Sequence, residues 1–217
     1  MELNQIQSFL ESADPQSRMK AMVELRQHTP EIVVPLLKQR MYDKEFVIRS
    51  FVAMGLGYKQ TEEGFDALLS LITTDRDPNV VAEAANSLEK YGDRAIPHLV
   101  KLFEENTHWL VRQSIFAALE TAQPEVKLQL CSWGWEGEDL VVQHSAIANL
   151  AALHGTAEAG EALAILLEAA VSVTPMIRAQ AARTLQYFDN PQAKAALLEL
   201  RQDANLRVVG ATLESLV

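Results

Sequence analysis

A single pattern recurs along this chain and leaves few folds open to it. Starting at Arg18, equivalent positions fall at Arg49, Val81, Arg112, Gln143, Arg178 and Arg207, separated by 31, 32, 31, 31, 35 and 29 residues. Seven residues after the first six anchors stand Leu25, Leu56, Leu88, Leu119, Leu150 and Leu185, without exception. The last anchor has Glu214 there, with Leu213 and Leu216 beside it, so the terminal unit is slightly out of register. Small residues recur three or four positions after the anchor: Ala21, Ala53, Ala84, Ala85, Ala146, Ala181, Ala182, Gly210 and Ala211. A leucine at +7 and a small residue at +3 or +4 share one helical face, and the small residue lets a neighbouring helix come close. Self-similarity at such a period is the mark of a stacked repeat.

Helix starts repeat in the same register. Four residues before an anchor stand Asp14, Asp77, Asp139, Thr174 and Asp203, residue types whose side-chain oxygen satisfies a free amide at a helix N-terminus. Pro15, Pro78 and Pro175 follow directly, at the one helical position where a missing N–H costs nothing. A second helix per unit is opened by Pro30, Pro124 or Pro191, and Pro35 and Pro97 fall inside second helices two repeats apart, which predicts a recurring kink. Helices are predicted at about 3–11, 15–27, 30–41, 44–57, 61–73, 77–90, 93–105, 107–121, 124–133, 138–153, 156–170, 174–187, 190–201 and 204–216. No stretch alternates with a period of two between turn signals, so no sheet is expected. A helix pair of this size cannot bury a face alone and must stack on its neighbours. The expectation is an all-α, right-handed superhelical solenoid of about six helix pairs with capping helices, forming one domain over 1–217.

Composition narrows the role. Nineteen basic against 29 acidic residues give a formal charge of −10, which repels phosphate and disfavours nucleic acid or an anionic membrane as partner. The lone Cys131 forms no internal disulfide and excludes four-cysteine metal sites within the chain. The opening MELNQIQSFLESAD lacks the basic start and apolar run of a signal peptide. No window reaches 18 uninterrupted apolar residues, so no membrane span is expected. The expectation from these features is a reducing compartment, the cytoplasm.

The units VIRSFVAMGLG, NVVAEAANSLEKYG, LVRQSIFAALE and MIRAQAARTLQYF, each behind a polar cap, resemble HEAT repeats of the short phycobilisome-lyase type. The resemblance covers the whole chain, and HWLVRQSIFAALE is similar to segments of cyanobacterial proteins related to the E and F subunits of phycocyanobilin lyase. Members of that group attach bilins to phycobiliprotein cysteines, detach them, or act as scaffolds, and one relative pairs with an iron–sulfur assembly protein. The resemblance therefore implies a scaffold that docks a phycobiliprotein or a cofactor-assembly protein on its concave face. A lyase acting on phycocyanobilin and a scaffold for iron–sulfur or other metallocofactor assembly are the alternatives it leaves. It implies no resident cofactor, with phycocyanobilin as the ligand to test, and it leaves the oligomeric state open.

The arginine ladder of Arg18, Arg49, Arg112, Arg178 and Arg207 suits carboxylate gripping, but spacing locked to the repeat favours pairing with acids such as Asp14, Asp77, Asp139 or Asp203. Repeat four departs furthest from the pattern. It has His108 and Trp109 at its cap, Ile115 and Phe116 at the small positions, and the run LCSWGWEGED closing its second helix. His108, Trp109, Arg112, Cys131, Trp133 and Trp135 are accordingly the candidate ligand- or partner-binding residues. Against this stands a core reading in which Val126, Leu130 and Trp133 form a buried stripe, Gly134 stops the helix, and Cys131 is a small buried hydrophobe. Trp135, beyond the stop, is expected at the surface. No HxxxH or CxxH spacing, G-x-S-x-G or glycine-rich phosphate loop occurs, so neither a catalytic nor a metal residue is assigned.

Overall fold

The computed structural model describes residues 1–120 and 122–214, and these form helices joined by short turns, with no strand among them. They divide into two compact units, Met1–Ala118 and Leu119–Val217. The first unit holds α1 (Leu3–Leu10), α2 (Pro15–Leu25), α3 (Pro30–Lys38), α4 (Phe46–Lys59), α5 (Glu62–Thr74), α6 (Pro78–Glu89), α7 (Ile96–Glu105) and α8 (Trp109–Ala118). The second holds α9 (Pro124–Glu136), α10 (Leu140–Asn149), α11 (Ala159–Ala170), α12 (Pro175–Leu185), α13 (Pro191–Leu200) and α14 (Leu206–Ala211). All fourteen predicted helices are present, so the all-α repeat architecture read from the sequence is the one the chain adopts.

The anchor helices α2, α4, α6 and α8 of the first unit, and α10, α12 and α14 of the second, carry the repeat. The six leucines at +7 are all buried, as are Ala21, Ala53, Ala84, Ala85, Ala146, Ala181, Ala182 and Ala211. Within each unit successive anchor helices lie side by side, α4 on α6 and α6 on α8 most extensively. Their approach is set by residue size: a Cβ built on Gly57 would stand 2.7 Å from Ser87 Cβ and 3.1 Å from Ser87 Cα. Capping follows the sequence at Asp14, Asp77 and Asp139, whose carboxylates accept amide hydrogens of Gln16 and Ser17, of Asn79, and of Val141 and Val142.

Several boundaries differ from expectation. Pro97 does not lie in a helix interior: a 3-10 turn at Gly92–Ala95 comes first, and Pro97 falls in the first turn of α7, where its missing N–H breaks no bond. Among the described helices only Pro35 is internal, so the internal proline does not recur two repeats on. Gly134 does not stop α9, which runs on to Glu136 with Gly134 buried in it. The 138–153 helix ends as α-helix at Asn149 and tightens into a 3-10 turn at Leu150–Leu153. The last predicted helix, 204–216, is α-helical only over Leu206–Ala211, and its final residues lie outside the described ones. Asn205, not Asp203, caps α14, and Thr174 makes no side-chain cap bond.

Asp203 has a different partner, which explains the ladder. The guanidinium of Arg178 grips both its carboxylate oxygens at 2.7 and 2.9 Å, and Arg49 holds Asp75 in the same way at 2.6 and 3.0 Å. Arg18 lies 2.9 and 3.0 Å from the two oxygens of Asp43. Each of these arginines also donates to the carbonyl six residues before it, Ser12, Asp43 or Ser172. Each acid in turn accepts the amide two residues on, at Glu45, Asp77 or Asn205. One side chain thereby ties its own helix start to the turn of the next repeat. The partner acids are thus not the caps Asp14, Asp77 and Asp139, which are engaged with amides, but the residues two positions ahead of the caps. Two substitutions within the ladder are matched: where the anchor is Val81 or Gln143, the acid's place is taken by neutral Asn106 or Ser172, whereas for Arg112 that place holds Gly137. Gln143 keeps the remaining half of the arrangement, donating to the carbonyl of Gly137 at 2.7 Å.

Candidate functional site

The structure divides the six candidate residues between the units: His108, Trp109 and Arg112 belong to the first, Cys131, Trp133 and Trp135 to the second. His108 acts as the cap of α8, its Nδ1 accepting the Leu110 amide at 3.2 Å while its own amide donates to the Asn106 side chain. Imidazole here replaces the carboxylate of other repeats. Trp109 is exposed and stacked on His108, with ring centroids 6.0 Å apart. Its position is the first of the helix, where Phe46 and Leu140 are exposed in their own repeats, so an open apolar side chain there is a habit of the fold. Arg112 donates to the Asn106 carbonyl and lies 4.7 Å from the ring centre of Phe103, which packs edge-on against Phe116. The bulky Ile115 and Phe116 of repeat four are both buried and fill this core.

In the second unit Cys131 is fully buried, and burial pushes its thiol up to about 12 against the opposing pull of Lys127. It is therefore protonated at neutral pH and poor as a nucleophile or ligand. Leu130 is buried, while Val126 and Trp133 are half-buried. Trp135, inside α9 because the helix does not stop at Gly134, is half-buried and donates its indole N–H to the Glu168 carboxylate at 3.2 Å.

A better-formed site lies in the first unit, where α2, α3 and α4 enclose a cleft of about 280 Å³. Leu25, Val33 and Leu37 form its buried floor; Met22 and Val23 of α2 face Phe51, Met54 and Tyr58 of α4 across it. Met22 stands at the small-residue position held by Ala53 and Ala85 in the next two anchor helices, and α2 packs on α4 less extensively than α4 packs on α6. Gly55 lets the floor approach: a Cβ there would lie 2.6 Å from Leu37 Cδ1.

Comparison of the repeats singles out α4. Its solvent-facing positions two, five and nine residues past the anchor are Phe51, Met54 and Tyr58. The same positions are Lys20, Val23 and Gln27 in α2, Glu83, Asn86 and Lys90 at α6, and Gln180, Arg183 and Tyr187 at α12. Met54 and Tyr58 are exposed, with Val23 exposed opposite. Basic groups surround the opening. The Lys59 ammonium donates to the carbonyls of Arg26 and His28 at the end of α2, and the Arg26 and Lys90 cations each lie 5.7 Å from the centre of the Tyr58 ring. Sequence reasoning passed over this site by comparing caps and small positions between repeats. The signal was present in the outward positions, which it did not compare.

Among the described residues no group of three or more His, Cys, Asp and Glu could hold a metal ion, and no helix is long and apolar enough to cross a membrane. The arrangement can bind; it offers no acid–base pair aimed into the cleft.

Comparison with known proteins supports the architecture. Residues 34–120 match the family model described as HEAT repeats. No curated protein matches the sequence. Among solved structures, the YibA protein of Escherichia coli superposes with a TM-score of 0.68 at 15% identity, over 97% of this chain and 80% of that one. The complex of CpcE and CpcF of phycocyanin lyase from Nostoc sp. gives 0.55 at 19% identity, over 100% of this chain and 95% of that one. An engineered protein gives 0.53 at 18% identity, over 100% of this chain and 67% of that one. At these identities the shared property is the helical-repeat fold.

Proposed function

We propose that this protein is a docking scaffold whose partner protein inserts an apolar side chain or two into the cleft between α2, α3 and α4. The observation that carries this reading is the clustering of Phe51, Met54 and Tyr58 at outward positions that are mainly polar or small in other repeats. Aromatic residues, methionine and arginine are the types that concentrate binding energy at protein interfaces. At about 280 Å³ the cleft lies at the lower edge of small-molecule pockets and suits a side-chain anchor.

Within this reading the partner to test first is a phycobiliprotein, in keeping with the resemblance of the repeat units to phycobilisome-lyase proteins and with the fold shared with the CpcE–CpcF complex. Titrating apo-phycocyanin subunits, with and without phycocyanobilin, onto the wild type and onto Met54→Asp tests both levels. Met54 is exposed, so the aspartate charges the cleft wall without entering the core. A loss of affinity of at least tenfold at unchanged melting temperature is expected. No binding of phycocyanin by the wild type rejects the phycobiliprotein; equal binding by wild type and Met54→Asp rejects the cleft. A change in the visible spectrum of phycocyanobilin on mixing with this protein alone would favour bilin handling over docking.

A further inference from the structure

Resting on the docking reading above, we infer that the partner segment seated in the cleft is an amphipathic one whose apolar anchor is flanked by carboxylates, which meet Arg26 and Lys90 on either part of Tyr58's surroundings. The inference begins with an imbalance. The chain carries ten more acidic than basic charges, and several of its cations are held by acids: Arg18, Arg49, Arg94, Arg178 and Arg183 each face a carboxylate within 3 Å. Arg26 and Lys90 are exposed and stand together at the border of the cleft. Among the described residues neither lies within ion-pair distance of an acid, and both gather at one exposed aromatic ring, 5.7 Å from its centre.

A ring face attracts a cation, but weakly at an exposed site. It leaves the hydrogen-bonding capacity of a guanidinium and an ammonium largely unused, directed at solvent beside an apolar cleft. The third charge at the site is fixed by structure, since Lys59 is held on the last carbonyls of α2. A docking segment therefore meets apolar surface at Phe51, Met54 and Val23 and a local positive field at its border. On a molecule whose overall charge is negative, this is where an acidic partner is received without repulsion. A basic segment would suit the rest of the surface but would face Arg26, Lys59 and Lys90 on entering the cleft.

Two synthetic helical peptides with the same leucine stripe test the inference, one with Glu and one with Lys beside the stripe, titrated by fluorescence anisotropy against wild type, Met54→Asp and Arg26→Glu/Lys90→Glu. The Glu-flanked peptide is expected to bind the wild type at least tenfold tighter than the Lys-flanked one. That preference should shrink as salt rises and be lost or reversed in Arg26→Glu/Lys90→Glu, while Met54→Asp weakens both peptides. Both cations are exposed and outside ion pairs, and Arg26→Gln/Lys90→Gln gives a milder form of the test should the reversal disturb folding. Equal binding of the two peptides, both weakened by Met54→Asp, overturns the charge inference and leaves the docking reading standing. Absence of binding by both, or binding that ignores Met54→Asp, overturns the two together.

Discussion

Arg18 and Asp43 show what the repeat asks of a single residue. Their side chains are only 4% and 6% exposed, and the arginine spans two turns through the carbonyls of Ser12 and Ala13 on one side and Asp43 on the other. Removing one member of a buried pair strands the other. Arg18→Met is expected to cost about 3–5 kcal/mol in denaturant unfolding, and Arg18→Met with Asp43→Leu to recover much of it. Arg49→Ala should likewise destabilise the stack, with affinity for a bound partner nearly unchanged per folded molecule. Titration behaviour follows from the same contacts. Burial raises the Asp75 carboxyl, but its bonds to Arg49 and the Asp77 amide outweigh this and hold it below the usual range; Asp203 is lowered chiefly by Arg178. Their stabilisation is present above the unfolded value of about 3.9 and is lost as pH falls through the lower folded one. His144 is half-buried, and burial together with Arg183 lowers its imidazole. The unfolded chain therefore takes up that proton first, so stability already declines as pH drops below about 6.5. Melting curves should show this early decline in the wild type and its absence in His144→Gln; an identical decline in the variant would contradict the assignment.

At the scale of elements, close approach and its failure decide where the surface opens. Alanine is the better helix former by about 1 kcal/mol, yet Gly57→Ala is expected to lower the melting temperature, because the new methyl meets Ser87 backbone and Cβ at the α4–α6 contact. A raised melting temperature would show that α6 can give way. These contacts also explain what was legible beforehand. Leucines at +7 and the alanines at +3 and +4 announce anchor helices because both face inward where they occur, whereas Gly210 in the last unit is exposed. Proline alone does not announce a kink: Pro97 follows a 3-10 turn and Pro35 does not, a difference set by chain geometry rather than residue type. Gly134 reads as a stop by type, but in place it is a buried helical residue, so Trp135 stays within α9 and reaches Glu168. Of the ladder's expected acids Asp203 does pair, with Arg178, whereas Asp14, Asp77 and Asp139 cap helices instead, because carboxylates two residues apart serve different amides and only the path of the turn shows which one faces the arginine.

At the scale of the molecule, α4 presents a surface unlike its equivalents in the other repeats, and the proposed docking rests on that surface. Repeat four attracts notice by composition, yet its cap histidine replaces a carboxylate, its large residues fill a core, and its cysteine is buried. Repeat two keeps the leucine and the alanine of the pattern and is unusual where it faces solvent. Trp109→Ala is therefore expected to leave docking within about twofold of wild type, whereas Met54→Asp weakens it at least tenfold. The methionines give the most direct test, because Met22 and Met54 line the cleft while Met1, Met19, Met41 and Met176 lie outside it. With methyl-labelled methionine, the Glu-flanked amphipathic peptide is titrated and all six methyl resonances are followed together. The account predicts saturable shifts of Met22 and Met54, with the Met176 methyl of the second unit unmoved. Saturable binding that shifts Met176 and leaves Met22 and Met54 in place would contradict it.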